Sequence, residues 1–193
     1  MVLQLRWGTS SISMLRGDIV DQDADAIVNA ANSSLYGGGG VDGAIHARGG
    51  PQILAECRRV RQTLWPNGLP TGMAAATGGG NLKARIVIHT VGPVWSGGLL
   101  DEPRLLSGCY RNCLAIANQS SVKSIAFPGI SIGAYGYPLE AATRIALSTV
   151  WEFAEKKGAP ERIAFVLFDE RTLQVYRQTA AELDQGRLSS DRL

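Results

Sequence analysis

Short apolar runs, bounded by glycine and polar turns, set the rhythm of the chain. Residues 2–7, VLQLRW, and 11–16, SISMLR, read as two strands joined at Gly8-Thr9. Residues 26–30 form an almost uninterrupted apolar run, the pattern of a strand buried on both faces of a sheet. Helical pieces are predicted over 42–48 and 51–62, broken at Gly49-Gly50-Pro51. Strands follow at 72–77 and 85–90, with the Gly78-Gly79-Gly80-Asn81 turn between them. Helical periodicity through Leu105, Leu106, Cys109, Cys113, Leu114 and Ile116 predicts a helix over 103–119. A buried strand at 124–127 leads to a helix over 139–157, with Pro138 suited to its first turn and Gly158 to its C-terminal cap. The last strand spans 162–168 and the last helix 170–184, and the polar segment 186–193 reads as a flexible tail.

Strands alternate with helices after the opening hairpin. That order predicts an α/β fold, a three-layer α/β/α sandwich around a mixed, mostly parallel sheet. At 193 residues with 45% hydrophobic content, the chain suits one domain, expected over 1–185. A mean hydropathy near zero is that of a soluble protein. No basic segment followed by an apolar one opens the chain, and no apolar run approaches membrane-spanning length, so neither a signal peptide nor a membrane partner is expected.

A net charge of +2 is too small for broad attraction to nucleic acid, so any anion must be held locally by loops and helix ends. Three cysteines form no CxxC pair and suit a reducing cytoplasm. Cys109 and Cys113, four apart, fit apolar burial better than a metal pair, since no histidine or further cysteine lies nearby in sequence. Asp21, Asp23 and Asp25 resemble the start of a calcium loop. Ala26 and Asn32 stand where such a loop needs glycine and glutamate, so the run reads as solvated loop. Arg58, Arg59 and Arg61 read as a solvated helix face, and His46 and His89 as packed histidines.

The chemistry concentrates in residues 29–42, NAANSSLYGGGGVD. Four glycines precede a helix whose unpaired N–H groups and dipole favour an anion. Asn29 and Asn32 flank the loop on one side and Asp42 on the other. Taken alone the loop suits either a plain turn, with Asp42 as an N-cap, or an anion site whose ligand it does not name. A second glycine-bearing loop, 129–137, also follows a buried strand and precedes a helix. Two cradles facing one crevice beyond the strand ends fit a diphosphate better than a single phosphate.

GDI at 17–19, IVNAAN at 27–32, GGGGVDGAIH at 37–46, VIHTVGPVW at 87–95 and ISIGAYGYP at 130–138 occur in that order. Together they resemble the macrodomain family, and within it the MacroD-type ADP-ribosyl hydrolases, over roughly residues 11–182. The resemblance implies that Asp18, Ile19 and Phe168 hold adenine. It implies a diphosphate between Gly38, Gly39, Gly40 and Val41 of one loop and Ser131, Ile132, Gly133, Ala134 and Gly136 of the other. Asn32, Asp42 and Tyr135 match the residues beside the distal ribose, with Asp42 and Asn32 catalytic. The implied activity is removal of ADP-ribose from acidic side chains and deacetylation of O-acetyl-ADP-ribose.

An ester on a ribose hydroxyl needs a placed water and a weak base. Asp42 can be the base and Asn32 can hold ribose or water. The loops hold no His/Cys ligand cluster, so no metal and no cofactor is expected. Expected partners are ADP-ribose and its esters, including mono-ADP-ribosylated proteins, and the chain is expected to be a monomer. Free nucleic acid is not expected, because no basic, aromatic-lined groove is apparent; ADP-ribosylated nucleic acid stays open as a leaving group. The competing reading is a reader that binds ADP-ribose without turnover, which would need neither Asn32 nor Asp42. One departure stands out. The family commonly has threonine where this chain has Ile132, which predicts an altered phosphate grip made by backbone, with Ile132 partly buried against the nucleotide.

Overall fold

The computed structural model describes residues 3–156 and 158–190. The start of the strand expected at residue 2, the helix end expected at 157 and the last three residues of the expected tail lie outside the described residues. The elements run β1 (Leu3–Trp7), β2 (Ser10–Arg16), β3 (Ala26–Ala31), α1 (Gly40–Gly49), α2 (Pro51–Thr63), β4 (Ala74–Gly78), β5 (Ile86–Val91) and α3 (Glu102–Gln119). Then come β6 (Ser124–Phe127), α4 (Leu139–Ala154), β7 (Arg162–Leu167) and α5 (Glu170–Ser190). A 3₁₀ turn, Ile19–Asp21, follows β2. No described helix is long and apolar enough to cross a membrane.

The sheet has seven strands in the order β1-β2-β7-β6-β3-β5-β4. β2, β7, β6, β3 and β5 are parallel, and β1 and β4 add antiparallel edges. Side chains alternate between two cores, as the period of a strand requires. Ala26, Val28, Ile88, Ile125, Phe127, Ile163 and Phe165 pack with α3, α4 and α5. Ile27, Ala31, Val87, Ala126 and Val166 pack with Ile45 of α1 and Ile53 and Cys57 of α2. This is the expected three-layer sandwich, and its central strands are apolar on both faces because helices cover both. All three cysteines are buried and unpaired.

Two boundaries differ from expectation by three residues or more. α4 ends at Ala154 with Glu155 as its C-cap, well before Gly158. The β1–β2 turn abuts that end: a Cβ on Gly8 would lie 2.2 Å from the Ala154 carbonyl oxygen, so hairpin and helix terminus are packed together. α5 runs on to Ser190, so helical backbone occupies the first part of the expected tail.

Asp25 also departs from the solvated-loop reading. Its Oδ2 accepts from the amides of Lys123 (3.0 Å) and Ser124 (2.9 Å) and from the Ser124 hydroxyl (3.0 Å). Its carbonyl accepts from the amides of Arg85 and Ile86. One aspartate thereby ties the starts of β3, β5 and β6 and sets their relative height. Partial burial would raise its carboxyl, but hydrogen bonds from Ser124 and Lys123, with the nearby Arg85 charge, hold it below its ordinary 3.8. The ionised form therefore stabilises the fold above that ordinary value, and the contribution is lost as pH falls through the lower native one. Asp25→Asn should cost about 1–2 kcal/mol in urea unfolding at neutral pH. The gap to the parent should close on acidification below 3.8.

Candidate functional site

β3 and β6 are neighbours, yet β3 feeds α1 on one face of the sheet and β6 feeds α4 on the other. The diverging connections open a crevice beyond the strand ends. It has two chambers, one of about 360 Å³ and one of about 230 Å³, which share Val41, Gly129 and Gly133 as a common wall.

The larger chamber is lined by Asn32, Gly38, Gly39, Gly40, Val41 and Asp42 from the first loop and Ser131, Gly133, Ala134 and Tyr135 from the second. Gly37 and Gly40 take φ of +91° and +58° as the first loop turns into α1. Asn32 organises that loop: its Oδ1 accepts from the Ser34 amide (3.0 Å), and its Nδ2 donates to the Gly37 carbonyl (2.9 Å). The second amide proton of Asn32 has no bond to a described residue. Arg61, expected on a solvated face, underpins the same loop. It donates to the carbonyls of Ser34 (2.9 Å), Trp65 (2.7 Å) and Pro66 (2.9 Å), with its guanidinium 5.4 Å from the Tyr36 ring centre.

Asp42 is not the helix N-cap, a place taken by Gly39; it lies in the first turn of α1 and is 3% exposed. Its Oδ1 accepts from Asn29 Nδ2 at 2.7 Å and lies 3.4 Å from His46 Nε2. Its Oδ2 has no hydrogen-bond partner among the described residues, and lies on the Gly38 side together with Asn32 Nδ2. The carboxylate thus has one tethered oxygen and one free one. Behind it, Asn29 Nδ2 meets His89 Nδ1 at 3.0 Å, and His89 Nε2 meets Thr77 Oγ1 at 2.9 Å.

Tyr137 donates its amide to the Ser131 carbonyl (3.0 Å), and Trp95 donates to the Tyr135 carbonyl (2.9 Å), which pins the second loop at both ends. Ser131 takes φ of +65°, costly for a non-glycine residue, and its buried hydroxyl has no partner. Gly92 permits this: a Cβ there would lie 2.1 Å from Ser131 Oγ.

The smaller chamber holds Asp18, Ile19, Ile132, Val166, Leu167 and Phe168. Phe168 is 87% exposed, a large ring presented to the opening. Asp18 caps the 3₁₀ turn, its Oδ1 accepting from the Val20 amide at 3.1 Å. Ile132 packs over Gly129, where a Cβ would lie 2.3 Å from Ile132 Cδ1, so its side chain belongs with Phe168 and away from the larger chamber. Gly136 lines neither chamber: its amide is spent on the Gly133 carbonyl (2.9 Å), leaving no donor for a ligand. Neither lining contains lysine or arginine among the described residues.

Sequence reading named Asn29 as a flank of the first loop and His46 as a packed histidine but did not join them with Cys57 and Thr77 as a set. Only the four-residue spacing from Asp42 to His46 could have signalled part of it, since that spacing puts both on one helix face. Donor atoms of His46, Cys57 and His89 lie within 4.8 Å of one another. Burial, with the charges of Asp42 and Glu56, pushes the Cys57 thiol up to about 12, and burial with neighbouring His46 pushes His89 down to about 3. Both ring nitrogens of His89 already have partners.

The sequence pattern that defines the Macro domain family matches residues 28–146. A Macro domain-containing protein of Caldanaerobacter subterraneus is 53% identical over 174 residues, covering 90% of this chain and 98% of the relative. An O-acetyl-ADP-ribose deacetylase of Enterobacter cloacae is 48% identical over 174 residues, covering 90% of this chain and 96% of the relative. A solved structure of an Oceanobacillus iheyensis macrodomain with ADP superposes with a TM-score of 0.92 at 39% identity, covering 96% of this chain and 98% of the other.

The contact between Gly92 and Ser131 is testable without a ligand. Gly92→Ala must displace the second loop, with an overpacking cost of about 1–3 kcal/mol. Thermal melting should report the loss. Hydrogen exchange should quicken at the Tyr137 amide, which the Ser131 carbonyl otherwise protects, and unchanged exchange there would show that the loop does not need the close approach.

Proposed function

The chain belongs to the Macro domain family, and from that premise we propose that it binds ADP-ribose and hydrolyses ADP-ribosyl esters with a carboxylate-activated water. The observation that carries this reading is the Asp42 carboxylate, tethered at Oδ1 and unpartnered at Oδ2, beside Asn32 in the larger chamber. A module that only reads ADP-ribose has no use for a buried carboxylate with a free oxygen.

In this assignment the adenine lies in the smaller chamber against Phe168, with its exocyclic amine donating to Asp18 and with Ile19 and Ile132 as apolar walls. The diphosphate crosses the shared wall. It is held by backbone N–H groups of the first turn of α1, which have no acceptor within the helix, and by the second loop from Ser131 to Ala134. The distal ribose and its ester reach Asn32, Asp42 and Tyr135.

Asp42 Oδ2 takes a proton from water as the water oxygen bonds to the acyl carbon. The tetrahedral adduct then collapses, the bond from acyl carbon to ribose oxygen breaks, and the proton passes to that ribose oxygen. The products are a carboxylic acid and ADP-ribose. The acetyl group and the side-chain acyl carbon of a protein Asp or Glu present the same ester to these atoms, which supports both as substrates. The step uses no metal and no cofactor.

Asp42→Ala should keep ADP-ribose affinity within about tenfold, ~1.4 kcal/mol. Turnover of O-acetyl-ADP-ribose and of Asp/Glu-modified protein should fall by about a hundredfold or more. Calorimetry and product chromatography separate these effects, and unimpaired turnover would remove Asp42 from the mechanism.

Asp18→Asn keeps an acceptor for the Val20 amide but sacrifices the charge facing adenine. ADP-ribose affinity should drop by roughly 1.5–3 kcal/mol, the worth of a hydrogen bond to a charged group. Ribose-5-phosphate, which has no base, should bind as before. Equal losses for the two ligands would make Asp18 a turn residue only.

A further inference from the structure

The assignment of Asp42 as base leaves open what keeps its carboxylate turned the right way. A carboxylate rotates readily, and one in the first turn of a helix can fold back onto that helix's own free amides. The answer lies on the sheet face beneath α1 and α2. Asn29 of β3 and His89 of β5 are direct partners in the parallel ladder. Both are fully buried, and both point to the face that packs against these helices. Thr77 of β4, also buried, completes a polar row across three strands of an otherwise apolar face.

The direction of each bond in this row follows from chemistry. Asn29 must turn its NH₂ toward Asp42, because its carbonyl oxygen would repel the carboxylate. The same nitrogen is 3.0 Å from His89 Nδ1, and an amide nitrogen only donates, so Nδ1 must carry a lone pair. The ring proton then sits on Nε2 and points at Thr77 Oγ1, 2.9 Å away, while Thr77 donates its own proton to the Gly78 carbonyl at 3.1 Å. Both amide protons of Asn29 are used, one on Asp42 and one on His89. Its Oδ1 is buried with no partner among the described residues, a cost that an apolar residue would avoid and that calls for a reason.

We propose that His89 and Thr77 are positioning residues which act through Asn29 to hold the Asp42 carboxylate, with Oδ1 tied to the sheet and Oδ2 free for water. The proposal rests on Asp42 being the base. If the proton of His89 moved to Nδ1, that nitrogen would donate to Asn29 and demand its carbonyl oxygen. The amide would turn over, Asp42 would lose its tether, and Oδ2 would leave its place beside Asn32. Thr77 prevents this by offering the Nε2 proton an acceptor. Burial and the adjacent His46 keep the ring neutral, with its protonation pushed down to about 3, so the arrangement persists across the physiological range. Placement matters because a base displaced by about 1 Å can lose on the order of a hundredfold in rate.

The test compares two replacements at one buried position. His89→Leu fills similar space with no acceptor, whereas His89→Asn keeps an oxygen close to where Nδ1 sits. His89→Leu should lower kcat about tenfold or more, while KM and the ADP-ribose Kd stay within about threefold. His89→Asn should recover most of the lost kcat. Circular dichroism and melting establish that each variant is folded at the assay temperature. Nitrogen-15 spectra of the wild-type imidazoles supply a readout independent of activity, and they decide the matter if neither variant folds. The proton should be on Nε2 of His89, with Nδ1 bare, at every pH from about 5 to 9. A proton on Nδ1, an unaffected kcat in folded His89→Leu, or a folded His89→Asn no better than His89→Leu would each overturn the proposal. Asp42→Ala, assayed alongside, separates the two ideas. Full activity there removes the base itself, whereas a dead Asp42→Ala beside a fully active His89→Leu removes only the relay.

Discussion

The parallel pairing of β3 with β5 on one side and β6 on the other governs the rest of this structure. It puts the first and second glycine-bearing loops at the same end of the sheet and sends the following helices to opposite faces. The cleft is the space left by that divergence, and it needs no dedicated element of its own. The same pairing brings Asn29 level with His89, so the polar support for Asp42 is a product of strand register. A slip by one residue would turn Asn29 into the opposite core and leave Asp42 without its tether. Asp25, which joins the starts of β3, β5 and β6, guards against such a slip from the far end of the strands.

An anionic ligand in this cleft would be held without cationic side chains. Among the described residues neither chamber is lined by lysine or arginine, and the N-terminus of α1 supplies positive potential there. Backbone donors are fixed in place and impose no side-chain entropy cost when a ligand arrives. The requirement is close backbone approach, met by glycine at 38–40 and by the strained Ser131, whose conformation Gly92 makes room for. Rigidity is imported from outside the cleft: Arg61 stitches the first loop to the segment after α2, and Trp95 holds the second.

The departure at Ile132 takes its meaning from the same geometry. Its side chain lies over Gly129 and lines the chamber that carries Phe168 and Val166. A larger apolar residue there extends the wall for a flat ring and leaves the backbone donors of the loop in place. It changes the smaller chamber and leaves the lining of the larger one unaltered.

Much of this was legible in the chain. Apolar runs with glycine punctuation marked the strands, alternation marked the layered sandwich, and the glycine loops marked the cleft, because backbone conformation and burial follow from local residue type. Asn32 and Asp42 stood out as the flanks of the first glycine loop, and Asp18 and Phe168 through the resemblance to the macrodomain family. Other features were invisible because they depend on residues far apart in sequence meeting across the sheet. Asp25 reads as a loop acid until the start of β6 lies beside it, and Gly136 reads as a free donor until its turn closes on Gly133. Arg61 reads as a solvated charge until the carbonyls of Ser34, Trp65 and Pro66 converge on it. His89 could be placed in the core from its apolar neighbours, but its tautomer and its link through Asn29 to Asp42 were decided only by the register of two strands. The sequence by itself determined which residues could do chemistry and which could be buried. The tertiary structure decided which oxygen of Asp42 is free, because a hydrogen bond is directional and its partners are chosen by the packing of the whole sheet.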